Sequence, residues 1–372
     1  MQETKILILT CNTGGGHNSV AGALKESFEA KGAVCDIEDG LSFISKGTSK
    51  FISRWHTRIY RRLPNVFRTG YAFADRTIND DGEEKSLVYR YIGMGARKLR
   101  KRILRGGYSF VVCVHVIPAL MLTAMKEKFS VDIKSCFVAT DYTCSPLVNE
   151  CNVDFFAIPT DDLADEFVSC GIPKDRLITT GIPIRSVFYG KHDKNTALKE
   201  LGLPEDSRHI LLMSGSIGCG PMKNIARQLD RMLPEDVNIS VICGRNRRMY
   251  TSLLLYPFRR VNAIGFTRDI HTFMESADLM VTKPGGISVT EAAANGTPML
   301  LLDIVGGCET HNINYFKEKG WAYGCVPKEA AGKICALLEY PTALSEIAEK
   351  TKSDFSVSAA DKLCEVALEM CE

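Results

Sequence analysis

The segment Thr10–Phe28, TCNTGGGHNSVAGALKESF, places three glycines and a histidine where a predicted strand gives way to a predicted helix. Glycines permit a tight turn and let a ligand approach the main chain closely. The amide groups that begin a helix attract an anion, and the imidazole of His17 is a candidate general base. An ordinary turn with a structural histidine would also explain these residues. The segment has neither G-K-[ST] nor a complete G-x-G-x-x-G, so neither common phosphate motif is predicted.

Two further glycine-rich turns lie in the second half of the chain. Ser214–Gly220 (SGSIGCG) follows a predicted strand, and Lys283–Glu291 (KPGGISVTE) leads into a helix predicted over Ser288–Asn295. Two such turns in one domain could direct amide groups at one pyrophosphate, and Glu291 could bind ribose hydroxyls; plain turns are the alternative. The chain has no D-x-D, so a metal site is not predicted, and Arg245 with the helix termini would balance the diphosphate charge.

Short apolar segments alternate with helical patterns along most of the chain, which predicts right-handed βαβ units and parallel sheets. We predict an α/β fold with two doubly wound, Rossmann-like domains that face each other across a cleft. The domains cover residues 1–186 and 187–355, and a terminal helix in 356–372 packs back on the first domain. Strands are predicted over Lys5–Thr10, Val34–Glu38, Phe110–Val116, Ser135–Ala139, Asp154–Ile158, His209–Ser214, Ile239–Cys243, Val261–Gly265, Leu279–Thr282 and Met299–Asp303.

The composition is that of a globular protein with a sizeable core, since 45% of the residues are hydrophobic and 24% are charged. The 14 cysteines include no C-x-x-C pair, so neither a zinc site nor a disulfide framework is predicted. No signal peptide is predicted before the strand at Lys5, and a reducing cytoplasm is the expected compartment.

Positive charge is concentrated in residues 46–105, which contain 16 Lys and Arg against 5 Asp and Glu. An apolar stripe runs through this segment at helical spacing, and Arg97–Arg105 form a second basic cluster. Such a helix can lie in an anionic membrane interface, although a core helix with a solvated basic face fits the same pattern. No nucleic-acid module is recognised. The residues proposed for the membrane are Phe51, Arg54, Trp55, Arg58, Ile59, Arg61 and Arg62.

Seven motifs, in order from about residue 4 to 330, resemble those of the monogalactosyldiacylglycerol synthase and processive diacylglycerol glucosyltransferase group of glycosyltransferase family 28. The resemblance implies the GT-B fold, with the acceptor on the first domain and a UDP-sugar on the second. It also implies metal-independent, inverting transfer without a cofactor. The motifs are the GGGH turn, His115, Thr140-Asp141-Tyr142, Gly181–Arg185, Cys243–Asn246, Gly265-Phe266 and KPGG…TEA.

The resemblance also assigns expected roles by position. His17 matches the candidate base, Glu309 and Asn312 match sugar-reading positions, and the acceptor or phosphate region is matched by Gly15, Gly16, His115, Asp141 and Arg185. The residues expected to bind UDP are Gly215, Ser216, Arg245, Asn246, Phe266, Thr267, Gly285, Gly286, Ile287, Ser288, Val289 and Glu291.

Two positions depart from the family pattern. Cys308 stands where the family usually has a glutamine, and Tyr142 stands where it often has a histidine. A thiol is a weak hydrogen-bonding group, so the identity of the hexose is left open, as is the detail of the acceptor side.

The expected function is hexosyl transfer from UDP-glucose, or alternatively UDP-galactose, to diacylglycerol or another lipid. The expected place is the inner face of the cell membrane, with no nucleic-acid partner and no prediction of oligomeric state. Three alternatives stay open: an N-acetylglucosaminyltransferase acting on a polyprenyl-linked peptidoglycan precursor, a UDP-sugar epimerase, and a non-catalytic membrane- or nucleic-acid-binding protein.

Overall fold

The computed structural model describes residues 4–12, 15–45, 47, 85–190, 193–304 and 306–371. These residues divide into two compact units. The amino-terminal domain contains the described residues up to Arg185 together with those from Ser358 onward, and the carboxy-terminal domain contains Ser186–Val357.

The amino-terminal domain is built on a six-stranded parallel sheet in the order β2-β1-β3-β4-β5-β6. Residues 6–9 of the inner strand β1 are fully buried, as expected for a sheet covered by helices on both faces. The strands are β1 Lys5–Thr10, β2 Val34–Asp39, β3 Phe110–Cys113, β4 Lys134–Val138, β5 Phe155–Ile158 and β6 Leu177–Thr179. The helices are α1 Gly16–Ala30, α2 Leu87–Ile92, α3 Ala96–Gly106, α4 Val116–Phe129, α5 Ala164–Ser169 and, at the end of the chain, α14 Ala359–Glu369.

The carboxy-terminal domain has a second six-stranded parallel sheet in the order β12-β11-β10-β7-β8-β9. Its strands are β7 Arg208–Met213, β8 Val237–Ile242, β9 Val261–Ile264, β10 Leu279–Thr282, β11 Met299–Leu302 and β12 Tyr323–Cys325. Its helices are α6 Lys194–Glu200, α7 Met222–Met232, α8 Arg247–Leu254, α9 Ile270–Glu275, α10 Gly286–Asn295, α11 Cys308–Glu318, α12 Ala330–Leu338 and α13 Pro341–Asp354. The predicted α/β class with two doubly wound domains is therefore confirmed.

The differences from the predicted strands have local causes. The strand predicted over Phe110–Val116 ends at Cys113, because His115 caps α4: its ring Nδ1 accepts the Ile117 N–H at 3.1 Å. The sequence analysis did not predict β6 and β12. Each has only three half-buried residues at a sheet edge, and so lacks the apolar run that marks an inner strand.

The last helix belongs to the amino-terminal domain and packs on α1. The Ser27 hydroxyl donates a hydrogen bond to Asp361, and Lys31 forms an ion pair with Glu365 at 2.9 Å. No helix in the described ranges combines the length and apolar content needed to cross a bilayer.

A buried histidine in β7 links β8 to the turn that leads into β10. His209 is fully buried, and its ring nitrogens lie 2.8 Å from Ser276 Oγ and 2.9 Å from Ser240 Oγ. Its backbone N–H donates to Asp278, which also pairs with Lys194 at 2.6 Å. Burial lowers the pKa of His209 from 6.5 to about 4, so the folded domain keeps this ring neutral in mildly acidic solution.

We expect His209 to weaken the fold as the pH falls from about 6.5 to about 4, because the unfolded chain then binds a proton that the folded chain does not. The loss of unfolding free energy should approach roughly 3 kcal/mol at the acid end, and titration of His209 should not change the stability with pH above pH 7. Urea unfolding of the wild type and His209→Gln at pH 7.5 and pH 4.5 measures it. Parallel pH dependence in the two proteins would contradict the expectation.

Candidate active site

Three polar side chains meet at the carboxyl ends of neighbouring strands in the amino-terminal domain. His17 lies in the first turn of α1, His115 caps α4, and Thr140 follows β4. The rings of His17 and His115 meet edge to face with their centroids 4.6 Å apart. His17 Nδ1 lies 3.4 Å from Thr140 Oγ1. The direction of the sheet order reverses between β1 and β3, which is where open parallel sheets bind ligands.

A chain of polar side chains holds the loop that leads into α1. Thr10 donates to Asn18 at 2.9 Å, Asn18 donates to Asn12 at 3.0 Å, and Asn12 donates to Asp39 at 3.0 Å. Asp39 also accepts the N–H of Leu41 at 3.1 Å. The network fixes the first turn of α1 and therefore the position of His17. The sequence analysis did not single out Asn12 or Asn18, although asparagines on either side of the glycines were a usable signal.

The other amino-terminal candidates also follow strands of this sheet. Gly15 is the N-cap of α1 and Gly16 is its first residue, so the helix begins within the glycine turn itself. Asp141 follows Thr140 and is half-buried, as is Arg185 at the end of the domain's main segment.

The Thr140-Asp141-Tyr142 motif lies in a largely buried loop after β4. Tyr142 is only 2% exposed, so its ring fills the interior. Glu166 Oε1 fixes the loop by accepting the Cys144 N–H at 2.8 Å and the Thr143 hydroxyl.

In the carboxy-terminal domain, the loops after β7 and β8 approach each other too closely for side chains. A Cβ on Gly218 would lie 2.1 Å from the Cys243 carbonyl oxygen, and one on Gly244 would lie 2.6 Å from the Ser216 carbonyl oxygen. Both glycines have positive φ, +63° and +53°, which favours glycine. Gly218 of SGSIGCG and Gly244 of CGRN are therefore needed for the two loops to meet.

Hydrogen bonds complete the junction of the two loops. The Arg245 N–H donates to the Ser216 carbonyl at 2.9 Å, and the Asn246 side-chain amide donates to the Gly218 carbonyl at 2.6 Å. Asn246 also caps α8 by accepting the Met249 N–H at 3.1 Å. Gly215, Ser216, Arg245 and Asn246 thus form one unit of structure, although they come from two separate motifs.

An exposed aromatic ring lies beside this unit at the end of β9. Phe266 is 53% exposed, and the Arg245 guanidinium lies 5.3 Å from its ring centroid. Thr267 is half-buried and accepts the Asp269 N–H at 3.0 Å. A ring and a guanidinium presented together offer a flat surface for a base, since both groups stack on aromatic ligands.

The turn after β10 leads directly into α10. The helix begins at Gly286, two residues before the predicted start, so Ile287, Ser288 and Val289 all lie in its first turn. Gly285 is the N-cap, and Glu291 lies in the second turn, largely buried.

The two candidate sugar-reading residues both contact the turn after β10. Glu309, in the first turn of α11, forms a short ion pair with Lys283. Asn312 is fully buried and donates to the Pro284 carbonyl at 2.8 Å, so in this structure it holds the turn. Cys308 is the first residue of α11 and is half-buried. The sequence analysis quoted Lys283 within KPGG but did not assign it a role.

The candidate residues of this domain follow five adjacent strands of its sheet, in the order β9, β8, β7, β10 and β11. The chain order reverses between β7 and β10, so the SGSIGCG and KPGG turns flank the expected ligand position of a doubly wound sheet. In the described part of the chain, no three His, Cys, Asp or Glu side chains are grouped so that they could hold a metal ion. The membrane candidates Phe51, Arg54, Trp55, Arg58, Ile59, Arg61 and Arg62 lie outside the described residues.

Comparison with known families follows the division into two domains. Residues 17–184 match the monogalactosyldiacylglycerol (MGDG) synthase family, and residues 193–354 match glycosyl transferases group 1. The chain is a glycosyltransferase, and its amino-terminal segment matches the family that its motifs resemble. All the site residues predicted from the sequence except Gly15, Gly16 and Arg185 lie within these two matched segments.

Curated relatives match over nearly the whole chain, and solved structures of distant sequence share its fold. The processive diacylglycerol beta-glucosyltransferase of Staphylococcus saprophyticus is 29% identical over 383 residues, covering 99% of this chain and 93% of that protein. The Bacillus cereus protein of the same name is 27% identical and covers 99% of this chain and 94% of its own length. Acinetobacter baumannii MurG has a TM-score of 0.65 at 13% identity, with 99% of this chain and 100% of MurG covered. Neisseria meningitidis UDP-GlcNAc 2-epimerase has a TM-score of 0.61 at 14% identity, with 98% and 100% covered. The fold is GT-B.

Proposed function

We propose that this glycosyltransferase transfers a hexose, with glucose favoured over galactose, from a UDP-hexose to diacylglycerol. The observation that carries the proposal is the junction of the SGSIGCG and CGRN loops beside the KPGG turn, at the point where the carboxy-terminal sheet reverses its order. The relatives named above support the lipid acceptor and glucose, since both are named diacylglycerol beta-glucosyltransferases.

The proposed donor site uses main-chain groups and few charges. The base stacks on Phe266 beside Arg245, the largely buried Glu291 binds the ribose hydroxyls, and the amides of the two glycine turns bind the diphosphate. Glu309 binds hexose hydroxyls. The main-chain amides of the two turns stabilise the negative charge on the leaving UDP, so the proposed reaction needs neither a metal ion nor a cofactor.

The proposed chemistry is a single displacement with inversion. An acceptor hydroxyl oxygen attacks the anomeric carbon, the bond from that carbon to the β-phosphate oxygen breaks, and UDP leaves with the electron pair. His17 takes the proton of the hydroxyl. A tautomer that carries its proton on Nδ1 donates to Thr140 Oγ1 and makes Nε2 the basic nitrogen. An α-linked donor therefore gives a β-linked glycolipid.

We further propose that the protein acts at the inner face of the cell membrane, bound to anionic lipid. Exposed apolar side chains lie along α2 and just after it, including Leu87 at 80% exposure and Met94 at 61%. Residues 85–106 contain eight Lys and Arg and no Asp or Glu. An apolar face bordered by cations suits a bilayer surface that carries negative headgroups.

A product assay with purified protein tests this function. The protein is incubated with liposomes that contain diacylglycerol and an anionic phospholipid, with EDTA present, and UDP-glucose, UDP-galactose or UDP-N-acetylglucosamine is supplied separately. We expect a β-glucosyl lipid from UDP-glucose, and less product from liposomes made only of neutral lipid. A parallel set of liposomes carries a polyprenyl-linked peptidoglycan precursor instead of diacylglycerol, and product only from this set with UDP-N-acetylglucosamine would favour the first alternative function. Conversion of the nucleotide sugar without any lipid would favour the epimerase.

A further inference from the structure

A nearly buried lysine occupies the middle of the proposed donor site. Lys283 directly follows β10, and β10 pairs with β7 where the order of the carboxy-terminal sheet reverses. Its ammonium forms a short ion pair with Glu309, and the two side chains are only 13% and 11% exposed. The pair is thus well removed from bulk water, where a charge interacts far more strongly with a ligand than it would on the surface.

The lysine side chain runs between the two glycine turns. A Cβ placed on Gly215 would lie 3.3 Å from Lys283 Cε, and a Cβ placed on Gly285 would lie 2.9 Å from Lys283 Nζ. The ammonium therefore lies against the N-cap of α10 while its stem passes over the turn after β7. The hydroxyl of Ser214, next to that turn, is buried and has no hydrogen-bond partner among the residues that the structure describes.

Lys283 is better placed than Arg245 to bind a diphosphate. Arg245 is exposed and lies over the ring of Phe266, which suits contact with a base. Lys283 is half enclosed by the glycine turns whose amides would bind phosphate oxygens, and an ammonium can add charge-assisted hydrogen bonds to them.

We propose that Lys283 is the cation that binds the donor's diphosphate, and that Glu309 positions its ammonium. This inference rests on the proposed function, because it takes a nucleoside diphosphate sugar as the donor. When the bond to the anomeric carbon breaks, its electron pair moves to the β-phosphate oxygen, and the ammonium of Lys283 stabilises the added negative charge without giving up a proton.

Calorimetric titration with UDP, UMP and uridine, all in EDTA, tests the role of Lys283. Lys283→Met keeps the length of the side chain and removes its charge, and we expect it to weaken UDP binding by about ten- to hundredfold. UMP binding should fall less, and uridine binding should stay near that of the wild type. Lys333→Met is the matched control, because Lys333 bonds the Gly324 carbonyl at 3.2 Å beside β12 of the same domain; it should bind all three ligands like the wild type.

A double variant separates the loss of an attraction from a new repulsion. In Lys283→Met the Glu309 carboxylate loses its cation and could itself repel UDP, whereas Lys283→Met/Glu309→Gln removes both charges. We expect UDP binding to stay weak in the double variant. Recovery of wild-type affinity in the double variant would overturn the proposal, and so would an equal loss of uridine binding in Lys283→Met.

The wild-type titration separates the test of the proposed UDP-sugar donor from the test of the role of Lys283. If the wild type binds UDP and Lys283→Met binds it equally well, the role of Lys283 is wrong while the proposed donor stands. If the wild type binds no UDP, the proposed donor is wrong and the role of Lys283 falls with it.

Discussion

Replacement of His17 by alanine is expected to lower the turnover number for hexosyl transfer by about 10²- to 10⁴-fold, the range typical of a general base. UDP should bind as it does to the wild type, because the proposed nucleotide site lies wholly in the other domain. The reason for a large effect is geometric. His17 stands in a first helical turn that the Thr10–Asn18–Asn12 network fixes, next to Thr140 and His115.

Initial rates of glycolipid formation measure this effect, with UDP affinity determined separately. Glu29→Ala serves as the control, because Glu29 is exposed near the far end of the same helix and its side chain pairs with Lys25 on that helix. It should retain wild-type turnover. Unchanged turnover in His17→Ala would remove His17 from the mechanism, whereas loss of both turnover and UDP binding would point to general damage to the fold.

Replacement of Gly218 by alanine should lower the free energy of unfolding by about 2–5 kcal/mol, the sum of left-handed backbone strain and overpacking. The new Cβ would lie 2.1 Å from the Cys243 carbonyl oxygen, a backbone atom that cannot turn aside as a side chain can. The loops after β7 and β8 must separate to relieve this contact, so UDP binding should weaken as well.

Urea unfolding checks the loss of stability, and Gly332→Ala is the matched control. Gly332 lies within α12, and a Cβ there would meet no other atom within 4 Å. Alanine is favoured over glycine in a helix by about 0.5–1 kcal/mol, so the control should be at least as stable as the wild type. Equal stability of the two variants would mean that the two loops are not tightly joined.

The sequence predicted the two doubly wound domains because inner parallel strands leave long apolar runs such as that of β1. It also placed the glycine turns, because a strand followed by clustered glycines and a helix is a strong local signal. The edge strands β6 and β12 were not predicted, since three half-buried residues leave no clear pattern.

What the sequence could not provide were contacts between residues far apart in the chain. The ion pair of Lys283 with Glu309 joins two motifs 26 residues apart, and no local pattern indicates it. Likewise, the sequence marked Asn246 as a motif residue, but its bond to the Gly218 carbonyl depends on how two strands lie side by side. Burial of a side chain also depends on residues far away in the chain. Asn312 is fully buried, and its amide donates to the Pro284 carbonyl inside the domain.

The return of α14 to α1 gives the polypeptide the topology of one domain inserted into another. The amino-terminal domain is discontinuous in sequence, whereas the described residues of its companion all lie between Ser186 and Val357. A shuffling event that exchanged the carboxy-terminal domain between relatives would therefore need two crossovers, one before Ser186 and one after Val357. A single crossover would also replace the helix whose Asp361 and Glu365 bind Ser27 and Lys31, so the recipient would have to accept a foreign partner for α1.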